Sequence, residues 1–339
     1  MKRITTIVVL LAFLAIGLTM GTSVAQAKKI VVKFGHVAPP FHGQHQGCLA
    51  FAKYVAEKTK GKIDIKVFPM GQLGGERSMA EQVQAGTLQM AAITTAVLSN
   101  FVPQAALIDL PFIFPDRKTA YKVLDDKEFQ KKFFSYFPKK GFIAIGWTEN
   151  EFRDMTNSKR PIHKPSDLKG LKIRVMESPV YLDTFKQLGV QPVPMPFPEV
   201  YNALQQGVID GQDNPLLTSV LMKFTEVNKY VTLTHHILTE CVIIVNPDFW
   251  NTLSASEKKI FREAADICIK VNRKVNADLY KNKIWKVVEK KHIKVVKLTP
   301  AEREAFKKAM TPVYAKYKKI VGPDLFNFFE KKIKYYQSH

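Results

Sequence analysis

Three histidines near the start of the chain are the first candidates for metal chemistry. His36, His42 and His45 lie within ten residues, and the last two are three apart. Two or three imidazoles so close in sequence could bind Zn²⁺. The chain has no HExxH motif, however, and no acid between residues 36 and 56 to orient the rings. We therefore predict no metal site here.

Two acids further along the chain are candidates for proton transfer. Glu149 and Glu151 are two residues apart, so they share one face of a strand. They could form a carboxylate pair for acid–base catalysis. With Asn150 and Arg153 beside them, they suit ligand binding or salt bridging equally well. No GxSxG motif or other local nucleophile signature accompanies them.

A glycine-rich run at residues 71–75 leads directly into Glu76 and a predicted helix. The N–H groups at a helix start favour an anion. The run lacks the Lys-Ser/Thr of a P-loop and the third glycine of the dinucleotide fingerprint. We expect a tight turn, with the helix start facing a cleft.

Residues 153–215 look most like the wall of a binding cleft. Arg153 follows the apolar run 142–147, and Arg174 sits in a predicted strand at 171–175. A proline-rich run at 194–198, a helix to 206 and a polar loop through Asn214 follow. An arginine fork fixes the orientation of a carboxylate as well as its charge.

The elements that would position these side chains alternate between strand and helix. The first half predicts strands at 30–36, 63–68, 90–94 and 142–147, with helices at 47–60 and 76–85. The pattern restarts with a one-turn helix at 166–170, strands at 171–175 and 191–194 and helices at 181–188 and 198–206. A strand at 242–246 and a long helical region at 254–289 follow, the latter opened by a Ser254-x-x-Glu257 capping box. Two α/β lobes, with the chain crossing between them more than once, explain this pattern.

Composition agrees with a globular protein of two domains. The 339 residues are 46% hydrophobic and 24% charged, which excludes a disordered or fibrous chain. The three cysteines are far apart, so no disulfide framework exists, and we expect them to be buried. The net charge is +21, and residues 270–339 hold 19 basic against 6 acidic side chains. We interpret this excess as a solvated helix face and not as a nucleic-acid site.

The first 27 residues are typical of a secretory signal. Lys2 and Arg3 precede an apolar run from Ile4 to Met20, and Ala25-Gln26-Ala27 provides a small-residue cleavage site. An N-terminal membrane anchor is the alternative, because the run is close to the ~18–20 residues that a span needs. We predict cleavage after Ala27 and an exported, periplasmic protein of 312 residues with net charge +19, since the leader removes two of the 51 basic residues and no acid.

Several motifs in this chain resemble the DctP-type solute-binding proteins of TRAP transporters. They are Pro-x-Gly-Gln-Leu-Gly-Gly-Glu-Arg at 69–77, Leu-Pro-Phe at 110–112, Thr-Asn-Ser-Lys-Arg-Pro at 156–161, Gly-Leu-Lys-Ile-Arg-Val at 170–175 and Pro-x-Pro-x-x-Glu-x-Tyr-x-Ala-Leu-Gln-x-Gly-Val-x-Asp-Gly-Gln at 194–212. The resemblance runs from about residue 29 to the 280s, with the motifs in the family's order.

The resemblance implies an α/β fold of the periplasmic-binding-protein kind, a type II-like Venus flytrap. Two lobes would close on a ligand in the cleft between them, and a long helix would span both lobes. We expect one lobe to comprise residues 28–150 and 240–280, and the other to comprise residues 151–239 and 281–339. The implied function is that of a receptor without enzymatic activity or cofactor, which passes a small organic anion to a small and a large membrane subunit driven by an ion gradient.

The resemblance also implies ligand-binding residues. Arg174 matches the arginine that pairs with the substrate carboxylate, Arg153 a second ligand-contacting arginine, and Asn214 a polar ligand contact. Glu76 lies near positions lining the cleft. The resemblance assigns no role to His36 and Glu149, and we predict that they contact the ligand and recognise a hydroxyl, a second polar group or an amine.

Two other functions remain open at this level. A secreted α/β enzyme would use His36 or the Glu149 and Glu151 pair on a small organic acid. A sensory binding protein would feed a membrane receptor instead of a permease.

For the receptor function, the expected ligand class includes C4-dicarboxylates, sugar acids, 2-oxo acids and aromatic or sulfonated acids.

Overall fold

The computed structural model describes residues 29–338. The predicted signal peptide, residues 1–27, lies outside the described residues. Within them the chain forms eleven strands in two sheets, surrounded by helices. Each sheet is the centre of one lobe.

The first sheet has the strand order β2-β1-β3-β10-β4. Strand β1 pairs in parallel with β2 and β3, as the predicted βαβ units require, whereas β10 pairs antiparallel with both β3 and β4. The strands are β1 (Ile30–Gly35), β2 (Ile63–Phe68), β3 (Met90–Thr94), β4 (Ile143–Phe152) and β10 (Leu238–Val245).

The second sheet has the order β11-β9-β5-β8-β6-β7. Strand β6 pairs in parallel with β7 and β8, β5 is antiparallel to β8 and β9, and β11 is parallel to β9. The strands are β5 (Asp154–Asn157), β6 (Lys172–Val175), β7 (Gln191–Pro194), β8 (Gly211–Asn214), β9 (Tyr230–Leu233) and β11 (Lys294–Lys297).

Fifteen α-helices lie within the described residues. In chain order, α1 to α15 are Gly43–Lys58, Glu76–Gln84, Thr95–Leu98, Arg117–Asp125, Lys127–Phe134, Pro179–Gln187, Val200–Gln205, Leu216–Leu221, Phe224–Val227, Pro247–Thr252, Ala255–Leu279, Trp285–Lys290, Pro300–Ala309, Thr311–Val321 and Pro323–Ser338. Short 3₁₀ turns at 103–107, 138–140, 165–168 and 197–199 connect some of them. None of these helices combines the length and the apolar character that crossing a bilayer requires.

Helix α11 is the long helix that the resemblance implies. Its capping box is confirmed: the Ser254 Oγ accepts from the backbone N–H of Glu257, and the Glu257 carboxylate accepts from the backbone N–H of Ser254. The helix packs along α1 and β4 of the first lobe. A π turn at Tyr280–Ile284 follows Leu279, and it contacts α8 of the second lobe.

The chain crosses between the two sheets at three places. It passes from β4 to β5 at Arg153, from β9 to β10 through residues 234–237, and from α11 to β11 through the π turn. The first two crossings are hydrogen-bonded side by side: the Arg153 N–H donates to the Ile237 carbonyl at 2.8 Å, and the His236 N–H donates to the Arg153 carbonyl at 3.2 Å. These paired segments form the base of the cleft.

The predicted elements are confirmed with differences at their ends. The strand expected at 142–147 continues to Phe152, and the one expected at 242–246 begins earlier, at Leu238. Helix α1 begins at Gly43 because the His42 side chain accepts from the backbone N–H of Gln44. The helical region at 254–289 is divided by the π turn. All three cysteines are buried, as expected, and all three are free.

Helices α1 and α11 approach each other closely at Gly47. A Cβ at this position would lie 2.5 Å from the Cys268 backbone oxygen and 3.0 Å from its Sγ. Overpacking a core usually costs about 1–3 kcal/mol, whereas Gly→Ala in an open helix gains about 1 kcal/mol. The clash is with backbone, so the loss outweighs the gain.

We predict that Gly47→Ala lowers the free energy of unfolding by about 1–2 kcal/mol. Urea denaturation followed by circular dichroism measures the change. Leu49→Ala, on the exposed side of the same helix, is the control and should stay within about 0.5 kcal/mol of wild type. A Gly47→Ala protein as stable as wild type would show that the two helices separate at little cost.

Candidate functional site

A cavity lies between the two lobes, against the crossing at Arg153. It has about 400 Å³ of empty space, including its opening to solvent. Its polar lining consists of Gln44, Glu76, Thr94, Asn150, Arg153, Arg174, Asn214 and Thr218. Its apolar lining consists of Val37, Ala38, Pro39, Met176, Phe197 and Cys241. Four of the six predicted ligand-binding residues therefore line one cavity: Glu76, Arg153, Arg174 and Asn214.

Arg174 is buried in this cavity without a direct carboxylate partner among the described residues. Strand β6 brings it to the cleft, and the Met195 carbonyl accepts from its Nε at 2.9 Å and its Nη2 at 2.7 Å. A guanidinium has five N–H donors, so three of them are not used by these bonds. Burial and the neighbouring charge of Arg153 lower the pKa of Arg174 to about 10. The group is still charged at neutral pH and would be stabilised by an anion.

Arg153, in contrast, already has its counter-ion. Its Nε donates to the Asp213 carboxylate at 2.5 Å, and its Nη2 donates to the Asp213 backbone carbonyl. Burial opposes its charge, but Asp213, Tyr181 and Asp109 together outweigh burial and hold the pKa of Arg153 above its usual range. The pKa of Asp213 is correspondingly held well below its usual range, against the effect of burial, by Arg153 and His236. The Tyr181 ring lies under the guanidinium, with its centroid at 5.4 Å.

Glu76 begins helix α2 at the first-lobe side of the cavity. Its two carboxylate oxygens accept from the Thr94 backbone N–H at 2.9 Å and the Thr94 hydroxyl at 2.8 Å. Burial raises the pKa of Glu76, and these hydrogen bonds and the two arginines oppose the rise. The expectation that this helix start faces a cleft is confirmed. The group that it presents to the cavity is the Glu76 carboxylate and not a set of backbone N–H groups alone.

Amide side chains supply the remaining polar surface. Asn214 donates through Nδ2 to the Gln212 Oε1 at 2.5 Å, and Gln44 donates through Nε2 to the Thr148 hydroxyl at 2.9 Å. Asn150 accepts from the Thr218 hydroxyl at 3.1 Å. The opposite end of each amide is not used by these bonds, so the cavity offers both donors and acceptors.

Asn150 reaches the cavity because of a β-bulge. In the register of β4 with β10, Glu149 pairs with Glu240 and Glu151 with Thr239, which leaves Asn150 without a partner. Glu151 has a φ of 91°, unusual for a residue with a side chain. The sequence signal for Asn150 was its position between two acids just before Arg153. Gln44 and Thr218 had no such signal and were not predicted.

His36 does not line the cavity, so the structure gives no support to its predicted ligand contact. Its ring is fully buried, and its Nε2 lies 3.0 Å from the His45 Nδ1. Burial and the charges of His45 and His42 lower the pKa of His36 to about 3, and burial lowers the pKa of His42 to about 4. The residues that follow His36, from Val37 to Pro39, reach the cavity instead because the chain turns there.

Glu149 is also outside the cavity. Asn150 lines the cavity, whereas Glu149 and Glu151 do not. Both acids contact Arg117, and the Glu149 carboxylate also accepts from the Tyr121 hydroxyl at 2.9 Å. Burial and the neighbouring charge of Glu151 raise the pKa of Glu149 to about 8. Of the alternatives left open for this pair, the structure shows contacts with Arg117 and none with the cavity.

Among residues 29–338, no group of three or more His, Cys, Asp and Glu side chains is arranged to hold a metal ion. The cavity itself combines two arginines, one acid and several amides. This lining is suited to binding a small anion.

Comparison with known proteins shows close relatives of one kind. The family profile described as bacterial extracellular solute-binding protein, family 7 (DctP), matches residues 34–320. A solute-binding protein of Verminephrobacter eiseniae is 38% identical over 281 residues, which is 82% of this chain and 82% of the relative.

Solved structures give the same result for the fold. A TRAP periplasmic solute-binding protein from a Polaromonas species, bound to D-erythronate, has a TM-score of 0.84 and 38% identity, and the match covers 89% of this chain and 98% of that chain. One from Ralstonia eutropha, with bound (S)-2-acetolactate, has a TM-score of 0.83 and 34% identity over 90% of this chain and 98% of that chain. The two-lobe fold with its long helix is thus confirmed.

We predict that Asp213→Asn lowers the free energy of unfolding by about 3 kcal/mol, because it leaves the Arg153 charge buried without its direct counter-ion. Urea denaturation is the measurement. Glu81→Gln, which breaks the exposed Arg77–Glu81 pair, is the control and should cost less than about 1 kcal/mol. Equal small losses in both variants would contradict the importance of the buried pair.

We also predict that the buried histidines make stability depend on pH. The pKa of His36 is about 3 in the folded protein, below the value of about 6.5 expected when unfolded. The unfolded chain therefore binds the proton first, and stability falls as the pH drops below 6.5. His36 alone should cost about 2 kcal/mol between pH 7 and pH 5.

Urea denaturation at pH 7, 6 and 5 tests this on wild type and His36→Gln. The loss of stability between pH 7 and 5 should be smaller in the variant by about 2 kcal/mol. His163→Gln, at an exposed position, is the matched control and should keep the wild-type dependence. If the free energy of unfolding depends on pH in the same way in wild type and His36→Gln, the pKa of His36 is not lowered in the folded protein and the prediction is wrong.

Proposed function

The chain belongs to the DctP family of bacterial extracellular solute-binding proteins, and from that premise we propose that it is the receptor of a TRAP transporter for a small organic acid. In this role it binds the acid in the cavity between the lobes and passes it to a small and a large membrane subunit. The observation that carries the proposal is Arg174, a buried guanidinium with free donors and no direct carboxylate partner within residues 29–338.

Arg174 binds the carboxylate of the ligand. The Met195 carbonyl holds the guanidinium in place through two bonds, so the fork is oriented before the ligand arrives. A carboxylate on the remaining donors forms charge-assisted hydrogen bonds, which are stronger than neutral ones. Arg153 also lines the cavity, where Asp213 balances its charge and fixes its position.

The charges of the site favour one carboxylate on the ligand. Arg153 is neutralised by Asp213, and Glu76 lines the same space as Arg174. A second carboxylate would therefore lie near an acid and without a free cation. We infer a monoanion whose other groups are uncharged.

The amides and Thr218 suit hydroxyl or carbonyl groups on that ligand. Asn214 and Gln44 have amide oxygens to accept from a hydroxyl, and the Asn150 amide nitrogen can donate. The ligands of the two structural relatives, D-erythronate and (S)-2-acetolactate, support a short hydroxylated monocarboxylic acid. The apolar wall at Phe197 and Met176 accommodates its carbon chain.

Binding would close the two lobes, because the cavity is lined from both. Gln44, Glu76 and Thr94 come from elements of the first lobe, and Arg174 and Asn214 from strands of the second. A ligand that contacts both lobes binds the closed form more tightly than the open form and shifts the population towards it. We assign residues 28–150 and 240–280 to one lobe and 151–239 and 281–339 to the other, which agrees with the sheet membership of the strands to within two residues. The C-terminal helices α14 and α15 also contact first-lobe elements.

Export completes the proposal. The leader of residues 1–27, cleaved after Ala27, would place the receptor in the periplasm. The enzyme alternative loses its support, because Glu149, Glu151 and His36 lie outside the cavity and are held by other residues. A sensory role uses the same binding site and differs only in the membrane partner.

We predict that Arg174→Ala weakens ligand binding by about 2 kcal/mol or more, since each hydrogen bond to a charged group contributes about 1.5–3 kcal/mol. Arg174→Lys should lose most of the affinity, because an ammonium group cannot form the planar fork. A thermal-shift screen of small acids identifies a ligand, and titration calorimetry then measures its affinity for each variant.

Arg77→Ala is the matched control, since Arg77 follows Glu76 in sequence but is exposed and paired with Glu81. It should bind the ligand as wild type does. In the same screen, D-erythronate should stabilise the protein more than the dicarboxylate succinate. Unchanged affinity in Arg174→Ala would refute the assignment of Arg174, and a preference for succinate would refute the single carboxylate.

A further inference from the structure

Residues 281–297 concentrate positive charge on the surface of the second lobe. They include seven lysines and one acid, Glu289. Lys291 forms an ion pair with Glu226. The other six are exposed and have no ion pair among the described residues, and we call them the lysine strip: Lys281, Lys283, Lys286, Lys290, Lys294 and Lys297.

The local structure holds part of this strip on one face. In α12 and the π turn before it, Ile284 and Val288 are buried. Lys283, Lys286 and Lys290 follow a spacing of three and four residues, which places them together on the solvent side of a helix. Strand β11 then presents its two terminal lysines at the edge of the second sheet.

Two exposed aromatic side chains lie among these lysines. Trp285 is 40% exposed and Phe41 69% exposed. The Lys297 Nζ lies 5.4 Å from the centroid of the Trp285 ring, and the Lys283 Nζ lies 5.5 Å from that of the Phe41 ring. Phe41 comes from the first lobe, so the surface extends across the third crossing between the lobes.

The charge of this surface identifies the chemistry of its partner. Six unpaired cations in 17 residues repel one another, and an anionic surface would relieve that repulsion. Lysines beside an exposed tryptophan are the composition of protein surfaces that rest on lipid headgroups. We propose that the lysine strip, with Trp285 and Phe41, binds the surface of a membrane that contains anionic phospholipid.

Such binding would hold the receptor near its membrane subunits, and this benefit rests on the proposed function. The binding itself does not. Lysines near an anionic bilayer are attracted within about one Debye length, roughly 8–10 Å at 0.1–0.15 M salt. The interaction is therefore reversible and sensitive to salt, which suits a protein that must also diffuse to collect its ligand.

Co-sedimentation of the mature chain with vesicles tests the proposal. At 50 mM salt, wild type should bind vesicles of phosphatidylcholine with 30% phosphatidylglycerol and should not bind pure phosphatidylcholine. Lys283→Glu/Lys286→Glu/Lys290→Glu should reduce the partition coefficient at least tenfold. The matched control is Lys118→Glu/Lys139→Glu/Lys140→Glu, which changes three exposed lysines of the first lobe. Both triple variants lower the net charge of the mature chain from +19 to +13, because each replacement removes two charges.

The control variant should keep its partition coefficient within threefold of wild type. Equal losses in the two variants would overturn the proposal, because net charge alone would then explain binding. Failure of wild type to bind the anionic vesicles at 50 mM salt would overturn it as well.

Tryptophan fluorescence gives an independent measurement at the same site. Trp147 and Trp250 are buried and Trp285 is exposed, so a blue shift on adding anionic vesicles reports burial of Trp285. The shift should be absent in Trp285→Phe, and its persistence there would contradict the assigned surface. D-Erythronate binding measured on the same proteins should be equal in wild type and both triple variants. If none of the three proteins binds erythronate, that result would count against the proposed function, and the vesicle result would still stand.

Discussion

Two guanidinium groups buried close together between the lobes determine how this site is built. Two like charges in a dry environment are unfavourable unless each has a partner. Asp213 provides the partner of Arg153, and the pair lies where the chain passes from β4 to β5. No described carboxylate pairs directly with Arg174. One guanidinium is thus paired within the protein, and the other keeps donors that no described carboxylate uses directly.

Strand β4 separates two kinds of buried polar chemistry. On one side, Asn150 faces the cavity; on the other, Glu149 and Glu151 contact Arg117. The bulge at Asn150 is held by Asn272 of α11, whose side chain donates to the Glu149 carbonyl at 3.1 Å and accepts from its N–H at 2.7 Å. The long helix therefore supports the strand at the point where it turns towards the second lobe.

Sequence reasoning was most successful where local patterns determine structure. The strands at 63–68, 90–94 and 191–194 and the capping box at Ser254 depend on alternation or on a cap, which are encoded within a few residues. Arg153, Arg174, Asn214 and Glu76 were assigned to a cleft through long motifs that resemble a family, and one cavity brings them together.

The predicted contacts that the cavity does not include depend on the direction of individual side chains. His36 and Glu149 lie one residue away from Val37 and Asn150, which line the cavity. The bulge that turns Asn150 inward depends on the register with β10, some 90 residues later, and on Asn272. Gln44 and Thr218 reach the ligand space only because the lobes meet. Such information is tertiary, and a single sequence without its fold contains no local pattern for it.

The position of β10 has a consequence for how the protein becomes functional. This strand lies between β3 and β4, yet it begins at Leu238, long after both in the chain. The first sheet therefore lacks the strand that joins β3 to β4 until about three-quarters of the polypeptide is available, and the helix that packs on β4 ends only at Leu279. Contacts so distant in sequence form slowly. A chain threaded through a narrow secretion channel from its N-terminus would remain unfolded during most of its passage, and the cleft would take shape only after nearly the whole chain had emerged.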